Sequence, residues 1–139
     1  MKYRLVGLIV ALAIGSPLTN SAQDTPEKEA QRAAESWLAL VDTGKSAESW
    51  QALAAPARDS IGQWRWKIGF AMAEKKFGPI SRRTLRSAKF STKSPSGRPG
   101  EFVFIEFGST STKKSAVTEK LATMRESDRQ WRVVTYTIE

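Results

Sequence analysis

The chain has 139 residues, room for one compact domain and not comfortably two. It carries 22 Lys and Arg against 14 Asp and Glu, a net charge of +8, with 40% hydrophobic and 26% charged residues, the balance of a folded domain rather than a disordered chain. It contains no His and no Cys, which excludes the usual triads, thiol nucleophiles, disulfides and zinc sites.

Residues 1–22 read as a signal peptide. Lys2 and Arg4 form a positive start, Leu5 to Gly15 is an apolar run of 11 residues, and Thr19-Asn20-Ser21-Ala22 ends on small residues. Eleven apolar residues are too few to span a bilayer, and no Cys follows them to take a lipid. The expected product is a periplasmic or secreted domain over residues 23–139. Residues 1–22 hold two positive charges and no acid, so removing them lowers the net charge from +8 to +6.

Thr25-Pro26-Glu27 opens the first helix, with Thr as N-cap, Pro at the first helical position and acids in the first turn. Ala30, Ala33, Ala34, Trp37, Leu38 and Val41 share one face, and Gly44 supplies the stop. Ser46 is placed to cap a short second helix through Leu53 that ends near Pro56. The phrase Glu-Ser-Trp-x-Ala-Leu occurs at residues 35–40 and again at 48–53. It spans six residues, far less than a repeat unit, so it reads as two helices each turning a Trp–Leu edge inward.

A third helix is expected from about Arg58 to Lys76. It is apolar on two sides: Ile61, Trp64, Ile68, Ala71 and Met72 on one, Trp66, Phe70, Ala73 and Phe77 on the other. A helix of this kind is sandwiched. One side should meet the sheet, and the other the first helices, a partner or a ligand. Trp37 and Trp64 are expected to be buried.

After Gly78-Pro79 the period becomes two. Strands are expected over Ile80–Phe90, Glu101–Ser109, Ala116–Arg125 and Gln130–Ile138, joined by short turns as an antiparallel meander. The expected fold class is α+β, three N-terminal helices on one face of a four-stranded antiparallel meander sheet in a cone-like form.

The whole pattern resembles the exported bacterial domain-of-unknown-function family 4019. The residues carrying the resemblance are Ala34-x-x-Trp37-Leu38-x-Leu40-Val41-Asp42-x-Gly44, Ser49-Trp50, Trp64, Gly78-Pro79-Ile80-Ser81-Arg82, Phe102-Val103-Phe104-x-x-Phe107, Glu119, and Trp131-Arg132-Val133-x-x-Tyr136. The resemblance covers nearly all of residues 23–139 and departs in the loop before Glu101. It implies a nuclear transport factor two-like or cystatin-like fold and brings no activity with it.

Three groups of residues are candidates for function. Glu106, on the strongly apolar strand Glu101–Ser109, is read as a solvated or ion-paired carboxylate near the sheet end, or as a charge inside a pocket. Glu119, between Val117 and Leu121, is expected to form a structural ion pair with an Arg such as Arg82 or Arg83. Residues 75–98 hold Lys75, Lys76, Arg82, Arg83, Arg86, Lys89, Lys93 and Arg98 and no acid. They are read as an anion-binding surface or as a solvated edge that resists aggregation. With Trp66, Phe70 and Phe77 on the side that the sheet leaves uncovered, Arg82, Arg83 and Arg86 would complete one mixed apolar and basic surface.

The expectation is a non-enzymatic binding or scaffolding module of the bacterial cell envelope, with no catalytic residue, metal or cofactor. Its expected partner is an anionic envelope component or an acidic protein rather than nucleic acid. The alternative is a small pocket hydrolase or isomerase using carboxylates and Tyr136, the only Tyr beyond residue 22.

Overall fold

The computed structural model describes residues 23–139, and the expected signal peptide, residues 1–22, lies outside them. Among the described residues, four helices precede four strands: α1 (Pro26–Asp42), α2 (Ser46–Gln51), α3 (Ala55–Ser60), α4 (Gln63–Phe77), β1 (Ile80–Lys93), β2 (Pro99–Ser111), β3 (Val117–Arg125) and β4 (Trp131–Ile138). The strands form one antiparallel sheet in the order β1-β2-β3-β4. The domain is therefore α+β with its helices N-terminal to the sheet.

α1 begins as its sequence dictates. The Thr25 hydroxyl accepts from the Lys28 N–H at 3.3 Å, Pro26 occupies the first turn, and Glu27 and Glu29 lie beside the positive end of the helix. Gly44, at φ +73°, closes the other end, where Lys45 N–H reaches the Leu40 carbonyl at 2.9 Å. Ala30, Ala34, Trp37 and Leu38 are buried. The two alanines let the backbone of α1 come close to Val103, Ile105, Phe107, Leu121, Trp131 and Val133 of the sheet, which form the core with it.

Both ends of α1 are tied to the sheet by charge. Glu29 accepts from Arg125 at 2.8 Å and from the Trp131 indole at 3.1 Å, and Asp42 accepts from Arg83 at 2.9 Å.

The region expected as one helix from Arg58 is instead two, so the helices number four rather than three. Pro56 does not end α2; it sits in the first turn of α3, where its missing N–H costs nothing. Ile61 and Gly62 are extended, which breaks the helix before α4. The Ile61 carbonyl that this break frees accepts the Trp50 indole N–H at 2.7 Å. Ser46 is not the cap of α2 but its first residue; Lys45 stands at the cap, with no side-chain capping bond.

The Trp64 side of α4 also departs from the expected reading, which had Trp64 buried. Trp66 packs on the core and Phe77 is buried, whereas Trp64 is 70% exposed, Met72 67% and Ile68 44%. The reason lies in α2. Ser49 is fully buried, and its hydroxyl accepts the Trp66 indole N–H at 3.0 Å, which orients α4 with Trp66 inward.

Candidate functional site

α4 packs mainly on α2 and makes few contacts with the sheet. Beneath it lies a cavity of about 870 Å³, within the range of small-molecule sites. Val41 and Asp42 at the end of α1, Trp66, Phe70, Ala73 and Phe77 of α4, Pro79 and Ile80 after it, and Tyr136 and Ile138 of β4 line the space. Ile61, Ile68 and Met72 complete its rim, and the charged members are Asp42, Arg65 and Glu74.

The α4–β1 link is held by Gly78. At φ +69° it occupies left-handed backbone, and a Cβ there would collide with the Thr112 hydroxyl.

Trp66 and Tyr136 on the cavity wall are joined through the buried Trp37 behind them. Trp66 lies 5.8 Å from Trp37, tilted by 55°, and Trp37 meets Tyr136 edge-on at 5.2 Å. The indole N–H of Trp37 donates to the Ser49 carbonyl at 2.8 Å. The two Glu-Ser-Trp phrases thus differ in role. The first places Trp37 in the core with Ser36 exposed; the second buries Ser49 as a bracket for two indoles.

Behind Tyr136 lies the one fully buried carboxylate among the described residues, Glu119. Its Oε1 accepts from Arg83 Nε at 2.8 Å and the Ser109 hydroxyl at 2.6 Å. Its Oε2 accepts from Arg83 Nη2 at 3.1 Å and the Tyr136 hydroxyl at 2.8 Å. Arg83 also holds Asp42, with Nη1 on Oδ2 at 2.9 Å and Nη2 on Oδ1 at 3.1 Å.

Burial alone would push the Glu119 carboxyl up, but the hydrogen bonds from Arg83 and Ser109 outweigh it and hold the pKa below the ordinary value. Burial likewise opposes the charge on Arg83, yet Asp42 and Glu119 raise its pKa. Burial, followed by the Glu119 charge, pushes the Tyr136 hydroxyl far up. Every oxygen of Glu119 is occupied and the Tyr136 proton is committed to it. The cluster is a fixed polar strut, poorly suited to exchange protons near neutrality.

The expected site residues do not form one surface. Trp66, Phe70 and Phe77 line the cavity under α4. Arg82 is opposite Thr110, and Arg83 opposite Ser109. Since successive strand residues alternate faces, Arg83 points to the helices and Arg82 to the bare face of the sheet. The ion-pair partner of Glu119 is consequently Arg83, and the pairing with Arg82 is corrected by register. Arg86 is on the bare face too, with its guanidinium over Gly108 and 3.6 Å from Glu106. Glu106 is partly exposed there beside Phe104, Lys120 and Thr137, away from the cavity under α4.

Asp42 and Ser49 escaped the sequence reading of the site. Ser49 carried a signal in the repeated phrase, but nothing local distinguishes it from the exposed Ser36. Asp42 lay within the family resemblance without a role.

Comparison with known proteins agrees with this architecture. Residues 33–136 match the family described as "Protein of unknown function (DUF4019)". The chain belongs to this family. No curated protein matches it by sequence. Among solved structures, this family member is similar to a protein from Catenulispora acidiphila at 13% identity and a TM-score of 0.53, over 81% of this chain and 88% of that one. It is also similar to Aln2 from a Streptomyces species at 16% identity and a TM-score of 0.51, over 84% of this chain and 92% of that one. At these identities the likeness concerns the fold alone.

Proposed function

We propose that this protein is an exported, non-enzymatic binding module of the bacterial cell envelope, and that the cavity beneath α4 holds the apolar part of its ligand. The observation that carries this reading is the cavity of about 870 Å³ walled by Trp66, Phe70, Phe77, Tyr136 and Ile138. Space of that size with an apolar wall favours an apolar guest, and the few charges at its rim, Arg65 and Glu74 among them, favour a ligand with a polar end. The leader-like order of residues 1–22 supports export.

The saturated Glu119–Arg83–Tyr136 cluster weighs against the alternative of a small hydrolase or isomerase. Tyr136 would have to abandon a 2.8 Å bond to a buried carboxylate before serving as an acid or base.

The test is titration of residues 23–139 with an environment-sensitive apolar dye, N-phenyl-1-naphthylamine, and its displacement by alkyl carboxylates of increasing chain length. Dye uptake and displacement by the longer chains are expected, with at least about tenfold weaker binding in the cavity-filling variant Ala73→Phe. A folded wild type that takes up no dye would overturn the cavity reading. Export is tested by N-terminal sequencing of the recovered protein, expected to begin near Gln23.

A further inference from the structure

We propose that the outer face of α4 docks on an anionic lipid surface. This inference rests on the envelope reading for where such a surface would be met, and it shares Ile61, Ile68 and Met72 with the rim of the cavity. Trp64, Ile68 and Met72 are spaced by four residues, so they stack along one line of the helix. Together with Ile61 they are the large hydrophobics that α4 and its N-terminal approach leave exposed.

Cations border that line. Arg65 and Lys76 lie on one side of it, Lys67 on the other, and Lys75 among its members at the C-terminal end. None of the four makes an ion pair among the described residues. Glu74, the one acid of α4, lies on the same side of the helix as Lys67 and, like Arg65, also lines the cavity.

An apolar stripe with Trp at one end and Lys and Arg along its borders is the pattern of a helix lying in the headgroup region. The rings and aliphatic groups enter the acyl boundary while the long cationic side chains reach back to phosphates. The charge is complementary to an anionic leaflet, where each Lys or Arg near the surface adds about fivefold to binding. The apolar line bordered by cations along a single helix favours a lipid surface over an acidic protein, a preference that competition by polyglutamate tests. No helix among the described residues is long and apolar enough to cross a membrane, so the contact is with the surface. Because Ile61, Ile68 and Met72 also form the cavity rim, docking would set that rim at the lipid boundary.

The experiment is co-sedimentation of residues 23–139 with phosphatidylglycerol/phosphatidylethanolamine and with phosphatidylcholine vesicles, across a salt series. This span contains every helix and strand described and omits the apolar run of residues 5–15, which would itself bind lipid. Circular dichroism and a thermal melt serve as folding controls. Salt-sensitive binding to the anionic vesicles and a blue shift of Trp emission are expected. Trp64→Ser/Met72→Ser and Lys75→Ala/Lys76→Ala should each weaken binding about tenfold or more without changing the melt.

Absence of wild-type binding, or equal binding by wild type and Trp64→Ser/Met72→Ser, would overturn the proposal. So would equal competition by soluble polyglutamate, which would assign the stripe to an acidic protein. A wild type that takes up the dye but does not bind the anionic vesicles would refute docking alone, and one that binds the vesicles but takes up no dye would refute the cavity ligand alone.

Discussion

Arg83 grips the buried Glu119 with two nitrogens, at 2.8 and 3.1 Å, and turns the rest of its guanidinium to Asp42 at the end of α1. One side chain of β1 thereby couples the sheet interior to the helix whose last two residues, Val41 and Asp42, line the cavity. Removing it strands a carboxylate away from water. Arg83→Ala should therefore cost about 3–5 kcal/mol, measured by urea unfolding, the range for breaking one partner of a buried pair. Arg82→Ala, on the bare face of the sheet, should change stability by no more than about 0.5 kcal/mol.

The same pair sets the acid limb of stability. The Glu119 pKa is lowered on folding, so the carboxylate's contribution is fully present above its unfolded value, about 4.3, and is lost as pH falls through the lower folded value. The urea midpoint of the wild type should fall steeply below about pH 4. Glu119→Gln should be less stable at neutral pH and show a shallower acid decline. Parallel acid limbs for the two proteins would contradict this assignment.

At the alkaline end the sign reverses in its consequence. The Tyr136 pKa is raised by burial and by the Glu119 charge, so its contribution is present below the unfolded value, about 10, and declines as pH rises above that. Tyr136 is the only Tyr in residues 23–139, so absorbance of ionised Tyr near 295 nm reports on it alone. In this span that absorbance should appear together with unfolding rather than before it. Tyr136→Phe should remove the Tyr-linked part of the alkaline loss.

Two tryptophans should separate cleanly. Trp37 is buried between Trp66 and Tyr136 and donates to Ser49, so Trp37→Ala should cost about 3–5 kcal/mol. Trp64 is 70% exposed, and Trp64→Ala should alter the melt little, within about 0.5 kcal/mol. A large loss from Trp64→Ala would mean that the two sides of α4 are assigned the wrong way round.

Local signals sufficed for much of the architecture. Thr25-Pro26-Glu27 and Gly44 bracket α1 because capping is a contest among neighbouring backbone groups, settled within a few residues. The change to period two after Gly78-Pro79 announced the four strands, and short turns between them announced a meander, because the pleat and the turn are both local properties. The buried face of α1 was legible as well, since its opposite face is polar.

Long-range geometry decided the rest. Both sides of α4 are apolar in sequence, and the contacts of Trp66 with Ser49 of α2 and Trp37 of α1 place it, rather than Trp64, in the interior. Arg82 and Arg83 are adjacent and chemically identical. The register with Thr110 and Ser109 sends one to the bare face of the sheet and the other to Glu119, because neighbouring strand residues point in opposite directions. The cavity exists because α4 leans on α2 and leaves space above Tyr136 and Ile138, a consequence of how two distant segments pack that no local pattern encodes.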